Sequence, residues 1–570
     1  MTMEQRAFVA VVLMAAVLIL YQAFLVPTQE APPAQKPAEQ TAKEQGQAPS
    51  TPARTAAPAP SPAPQALQIP AAPAGARPPQ KITQVVTPLY QAAVSSEGGK
   101  LQEFVLGYRG EKPMVAIGDL GPTGLVVATE GNAGGQVLPM QLSTESVRIG
   151  PENPNQDLVL TGALDGLRVR QTLTFRSDTY TIDTRLRVEN TSSAPRSVTL
   201  ALPWSTRQDW RDEKAKERFQ GQHPTEMVWS AGDAVARAEN LCEVPTVTTD
   251  GAWIGMGSVW YMAALIPHGD GFKLAARGEA KACEAKSQAP VGRATIAVQA
   301  TPTIAPSQAW EGHVTVFVGP KEYDRLRALG LEGAINFGGF PIPRNWGGLP
   351  MEWLGVPILL LMNWVYRHVG NYGVAIILLT VVSKIIFFPL TVKSMRSMKA
   401  MQALQPQVNS LRNKHKSDPQ RLQRETMELY RTHKVNPMGG CLPMVAQVPI
   451  FYALYLALSV SVELQGATFF CFGKIFGVHL WICDLASHDP TYVLPVLMGV
   501  TMFVQQKMTP VAGDPRQAKM MLIMPFIFTF MFLNLPSGLV LYWTVSNVLQ
   551  ILQQWYMDRP KVRPVREARA

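Results

Sequence analysis

Charge is scarce in this chain. Of 570 residues only 16% are Asp, Glu, Lys or Arg, while 47% are hydrophobic, which excludes a largely disordered, solvated polymer. Cysteine is scarcer still: five residues and no CxxC, too few for a disulfide framework and lacking the usual redox or zinc spacing. Enzyme motifs are absent. The eight histidines are scattered, and there is no HExxH and no GxSxG. Gly98-Gly99-Lys100 fails as a phosphate loop, because Val94 stands where the first glycine belongs and Leu101 follows the lysine. With no nucleotide motif and no metal spacing, what is left is binding, and work done through a bilayer.

The charge that is present is unevenly placed. From Arg344 onward there are 22 basic and 10 acidic residues, whereas the first 343 residues hold 30 and 32. A basic, apolar C-terminal half suggests a membrane or nucleic-acid partner, and its long apolar runs favour the membrane. At this length more than one domain is expected. Residues 1–26 hold the uncharged run "AFVAVVLMAAVLILYQAFLV", about one bilayer long. It reads as an uncleaved anchor, with a cleavable signal peptide as the alternative. Residues 27–80 are rich in Pro, Ala and Gln and read as an extended linker.

Residues 81–343 read as an antiparallel β-sandwich. In "TYTIDTRLRVEN", Tyr180, Ile182, Leu186 and Val188 alternate with Thr181, Asp183, Arg185 and Arg187. "RVRQTLTF" and "HVTVFVG" look similar, and Gly, Pro, Asn and Asp punctuate them. Residues 344–370 read as an interfacial amphipathic helix, the alternative being an extension of the next span. Residues 371–557 hold five spans, at 371–390, 441–462, 492–506, 520–535 and 537–557, which with the anchor make six. The spans at 492–506 and 520–535 are short for a bilayer, so they tilt little or thin it.

Basic residues set the orientation. Lys393 to Lys434 carries ten Lys/Arg against Asp418, Glu425 and Glu428, so that loop is cytoplasmic. The loop 463–490 has Lys474 against Glu463, Asp484 and Asp489 and faces out, as does the sandwich. The basic tail 558–570 lies inside. Within the cytoplasmic loop, residues 394–434 form a helical hairpin: Met395, Met398, Met401, Leu404, Val408 and Leu411 share a face, and Ser417 or Asp418 with Pro419 opens the second arm. Its basic side, including Lys399, Arg412, Lys414 and Lys416, is either a solvated face or a contact for anionic lipid or ribosomal RNA. Cys242/Cys283 and Cys471/Cys483 are each a possible disulfide or two free thiols.

One charge falls inside a span. Lys384 interrupts "LLTVVSKIIFFPL", nine residues before Lys393 and so about 13 Å deep along a helix. A cation at mid-bilayer costs roughly 2.5–3.5 kcal/mol on insertion scales. Either the side chain snorkels to the headgroups, or Thr380, Gln447, Gln506, Thr544, Ser546, Asn547 and Gln550 converge with it on a wet cavity.

"NYGVAIILLTVVSKIIFFPLTVKSMRSMKAMQALQP", "GGCLPMVAQVPIFYALY", "LPVLMGVTMFVQQKM" and "MPFIFTFMFLNLPSGLVLYWTVSNVLQILQQ" together resemble the YidC/Oxa family of membrane-protein insertases. The anchor, linker and sandwich resemble its Gram-negative bacterial type. The resemblance implies a multi-domain protein of the bacterial inner membrane: a polytopic bundle of six transmembrane helices with a periplasmic antiparallel β-sandwich, and both termini cytoplasmic. It implies no catalysis, no cofactor, no metal and no small-molecule substrate. A hydrophilic groove would receive hydrophobic segments of nascent membrane proteins, alone or with the Sec translocon (SecYEG, SecDF), with the ribosome and membrane lipids as further partners. Lys384 matches the groove's basic residue, usually arginine in the family; lysine keeps the charge and loses the bidentate fork. Thr380, Gln447, Tyr542 and Trp543 match groove or substrate-contact positions, and Asn547 lies among the span's polar groups. Met531 and Phe532 match a face along which substrate slides. The family's sandwich is similar to sugar-binding mutarotases, but no residue here identifies a sugar site. A transporter or channel is the first rival reading, although no internal repeat is found. A membrane-anchored carbohydrate enzyme is the second.

Overall fold

The computed structural model describes residues 80–108, 111–114, 124–130, 132–209, 226–232, 234–238, 247–278, 291–337, 339–340, 349–415, 418–436, 442–475, 478–509 and 522–558. The anchor, most of the linker, the basic tail, and Cys242, Cys283 and Cys441 lie outside them.

The sandwich is built from three sheets. The expected alternation is realised in Thr181–Asn190, where Ile182, Thr184, Leu186, Val188 and Asn190 point inward. This strand pairs antiparallel with Leu167–Arg176, which buries Leu167, Val169, Gln171, Leu173 and Phe175. Both belong to a nine-stranded sheet that runs on through Ala309–Pro320, Tyr261–His268, Ile254–Gly257, Glu226–Ala231 and Ala234–Ala238. A seven-stranded sheet centred on Arg196–Asp209 and Val291–Ala300 approaches it at Tyr261–His268 and closes the apolar core. The third sheet has five strands and departs from a purely antiparallel plan, because Ile82–Val86 pairs parallel with Ser146–Arg148. The last strand of the central sheet is buried on both faces from Val314 to Pro320, a continuous apolar run of the kind that covered strands show.

A short helix, α1 (Tyr323–Ala328), follows the last long strand. Next comes α2 (Glu352–Val369), which starts eight residues later than the 344–370 reading. The short strands Gly339–Phe340 and Leu349–Pro350, paired with each other, occupy the lead-in. α2 is amphipathic: Ile358, Leu359, Met362 and Val365 are buried, and Trp353 and Trp364 are exposed. It does not continue into the next helix. Gly370 closes it in the left-handed conformation, and Asn371 caps α3 (Tyr372–Ala403) by accepting hydrogen bonds from the Gly373 and Val374 amides.

α3 is the one helix, among the described residues, long and apolar enough to cross a bilayer by length and composition. It passes through Pro389 without ending. The first arm of the hairpin is therefore partly a continuation of α3, broken at Leu404, with α4 (Gln405–Lys414) beyond it. Asp418, one of the two caps the spacing offered, caps the second arm, α5 (Pro419–Thr432), accepting from the Arg421 amide with Pro419 in the first turn. α6 (Leu442–Val460), α7 (Val493–Met508), α8 (Met524–Phe532) and α9 (Ser537–Asp558) complete the bundle. α9 packs on α3, α6 and α7, and α8 on α7. The expected span 520–535 holds a helix of nine residues.

The turn after α6 is one place where the sandwich meets the bundle. The Trp260 indole donates to the Ser459 carbonyl at 3.0 Å, and the Tyr261 hydroxyl bonds the Gln465 side chain. Between them Glu463 is buried, with one oxygen accepting from the Tyr323 amide at 3.3 Å and the other from the Ser461 hydroxyl at 2.8 Å. Burial pushes its carboxyl above the ordinary carboxylate range, against those two bonds, which favour the charged form. A raised carboxyl group takes stability away as pH rises through its folded value. Glu463→Gln is therefore expected to raise the melting temperature at mildly alkaline pH, with the gain fading in acid; thermal melts across pH check this.

Candidate functional site

Two clusters draw on α9. The first is polar. The Lys384 ammonium on α3 is half-buried and donates to Oε1 of Gln550 on α9 at 3.2 Å. The side chain is thus turned toward a neighbouring helix. Three residues back along α9, Asn547 is buried, and its amide donates to the Thr501 hydroxyl of α7 at 3.4 Å. One turn after Gln550, Gln554 donates to the carbonyl of Met508 at the end of α7. Gln506 Oε1 on the same helix is buried with no protein partner. An unpartnered buried amide oxygen is costly unless water reaches it, so this seam suits a hydrated groove.

The second cluster is aromatic. The Trp543 ring lies 4.7 Å from Phe451, 5.1 Å from Phe532 and 6.0 Å from Phe528, centre to centre. Tyr542 is buried beside Phe451 at 6.3 Å.

Lys384 reaches α9 through Gln550, three residues from Asn547, while Tyr542, Trp543 and Phe532 belong to the aromatic cluster. Thr380 differs: it is fully buried and donates back to its own helix, to the Ile376 carbonyl at 2.7 Å. Gln447 lies in α6, and its side chain is outside what is described. Phe532 is buried and Met531 half-buried. The exposed face of α8 is instead Phe526, Ile527 and Phe530, with Ile523 exposed just before it. Gln550 was among the polar residues expected to converge with Lys384, whereas Thr501 and Gln554 were not named. Asn547, Gln550 and Gln554 recur at three and four, one stripe of a helix, and that spacing is the signal for them.

The basic loop residues have separate fates. Lys399 donates to the Met557 carbonyl at 3.2 Å, at the last turn of α9, where the helix dipole favours a cation. Arg412 is half-buried and Lys414 exposed; Lys416 lies outside the described residues. The hairpin is closed by His415 and Glu425 at 2.9 Å, with Arg421 on the other carboxylate oxygen at 3.2 Å.

Residues 364–564 match the family described as 60Kd inner membrane protein, and residues 82–346 match the YidC periplasmic domain. Membrane protein insertase YidC of Syntrophus aciditrophicus (strain SB) is 39% identical over 98% of this chain and 100% of its own. The YidC insertases of Citrifermentans bemidjiense and Maridesulfovibrio salexigens are 37% and 36% identical, each over 98% of this chain and 99% of theirs. The chain belongs to the YidC family of membrane protein insertases. Like its YidC relatives, it combines a region of the inner-membrane family with a β-rich domain matched to the YidC periplasmic domain. In YidC terms the two clusters sit in the region matched to the inner-membrane family, and the three sheets in the region matched to the periplasmic one.

Proposed function

We propose that the seam around Lys384 is a hydrophilic groove that holds the polar or acidic flank of a nascent segment while its hydrophobic part passes into lipid. The observation that carries this is the Lys384–Gln550 contact, which holds a cation partway along the one long apolar helix. Charge attraction captures the flank. The exposed apolar face of α8, Phe526, Ile527 and Phe530, offers the emerging segment a path that avoids water. Trp543 and Tyr542 border the groove, Gln447 on α6 is a further groove position by family likeness, and Thr380, bonded to its own helix, supports α3. No bond is made or broken and no cofactor is used.

The same reading has six transmembrane helices, counting the N-terminal run, with both termini cytoplasmic. The domain limits are those of the sequence reading apart from the later start of α2 at Glu352, with the groove in 371–557. Action is alone or with SecYEG and SecDF, and ribosomes and anionic lipids meet Arg412, Lys414 and Lys416 on the hairpin. The test is insertion of a small, acidic-tailed membrane protein into proteoliposomes holding only this chain. Protease-protected product supports the reading. Equal protection in vesicles without the chain defeats it, and solute flux without insertion points to a transporter.

A further inference from the structure

The loop between α6 and α7 contains "FFCFGKIFGVHLWIC", residues 469–483. The stretch has no acidic residue, one lysine and one histidine, a composition foreign to a solvated loop. It folds as a hairpin, Cys471–Ile475 against Val478–Trp481, and a disulfide joins Cys471 to Cys483 across its base. Phe472 is 68% exposed and Phe470 49% exposed. Both rings stack on Trp481, at 6.1 and 5.9 Å between centres. Three aromatic rings are therefore gathered on a two-stranded element, of a kind that is marginal in water by itself.

Its root shows what medium surrounds it. Phe469 lies against Gly373, in the first turn of α3, where any side chain on that glycine would strike the ring. The Asn371 amide that precedes the helix reaches the Phe469 carbonyl at 3.5 Å. The hairpin thus leaves the bundle where the long apolar helix begins, which for a bilayer-spanning α3 is the level of the headgroups. Further along that helix Leu378, Val382, Ile385 and Ile386 are exposed, so the apolar surface of the hairpin adjoins a helix whose own apolar side chains face outward. Aromatic rings favour this depth of a membrane. A lone hairpin would splay there unless held closed.

We propose that residues 469–483 form a disulfide-stapled membrane anchor whose Phe470, Phe472 and Trp481 bed in phospholipid at the leaflet where α3 enters. The proposal rests on α3 spanning the membrane.

The test places a photoreactive benzophenone amino acid at Phe472 in the full chain, reconstituted in phosphatidylethanolamine–phosphatidylglycerol vesicles. Ile386 on α3 is the lipid-facing control and exposed Ile82 on the sandwich is the aqueous one. Mass spectrometry after illumination is expected to find phospholipid adducts at 472 and 386 and none at 82. Adducts at 386 but not at 472, or crosslinks from 472 to a second copy or another polypeptide, overturn the inference. Absence at both 472 and 386 overturns the spanning role of α3 as well. The double variant Cys471→Ser, Cys483→Ser is expected to lower the 472 adduct several-fold; an unchanged yield overturns the stapling.

Discussion

Lys384→Glu is expected to abolish insertion of a substrate with an acidic flank, while Lys384→Arg keeps most of it. Opposite unit charges 4 Å apart attract by about 4 kcal/mol at an effective dielectric of about 20. Retaining a third of that after solvation still gives about tenfold in capture, since 1.4 kcal/mol is tenfold. Reversal replaces this attraction by repulsion, so the loss exceeds that of Lys384→Met. The folded state tolerates the reversal, because Gln550 can present its amide NH₂ to a carboxylate as readily as its oxygen to an ammonium. Gln550→Glu gives an independent check. It leaves Lys384 in place and neutralises it as an ion pair, so insertion is expected to fall nearly as far. Gln550→Met frees the ammonium and is expected to cost less. Rates at matched protein levels decide. If all these variants insert equally, the ammonium plays no part in capture.

Glu226→Gln is expected to be the most damaging single change in the periplasmic domain. Lys321 is buried and places its ammonium 3.0 Å from one Glu226 oxygen, while Arg237 lies 3.2 Å from the other. The two cations also bond the Ala334 carbonyl, at 3.2 and 3.4 Å, and Arg237 bonds that of Ile335 at 3.2 Å. The trio therefore pins residues 333–335 to the edge of the nine-stranded sheet. Removing the anion leaves two buried cations facing each other, a loss of about 3–5 kcal/mol. For a domain of this size that is on the order of 10 °C in melting temperature. Lys321→Met removes one cation and leaves a balanced pair, so its effect is expected to be much smaller. Burial already holds the Lys321 amine below its ordinary range, and Glu226 raises it back. Without Glu226 the native state prefers the neutral amine more strongly, so the defect is largest near neutrality and eases as pH rises. Melting curves of both variants across pH check sign and size. A Glu226→Gln protein that melts with the wild type refutes the account.

Much of this was legible from residue order. Strands with one buried face announce themselves by alternation, as Thr181–Asn190 does, and the Asp418–Pro419 helix start follows from capping chemistry. The partition into three sheets was not legible, because long-range pairings such as Ile82–Val86 with Ser146–Arg148 leave no local mark. The span was read as 371–390, but the helix runs on through Pro389 to Ala403. Proline removes only one intrahelical bond, and the residues after it are good helix formers. Lys384 stood out because a cation in an apolar run has no local reason to be there. Gln550 was named only as one of seven polar residues in the spans, since glutamine is unremarkable singly; the stripe Asn547, Gln550, Gln554 is what would have set it apart. Met531 and Phe532 came from family likeness, and the packing turns Phe532 inward against Trp543.

The unbroken helix from Tyr372 to Ala403 also has a consequence of phase. Its 32 residues make a rod of about 48 Å, and Lys384 and the root of the cytoplasmic hairpin ride on the same axis. On such a rod the angle between two side chains is set by residue count alone, about 100° for each one. The number of residues between Lys384 and Ala403 therefore fixes which way the hairpin is aimed relative to the groove. Adding or losing one residue in that interval would swing the hairpin by more than a quarter turn with every side chain chemically intact. For this segment, spacing is as much a part of the working parts as the lysine itself.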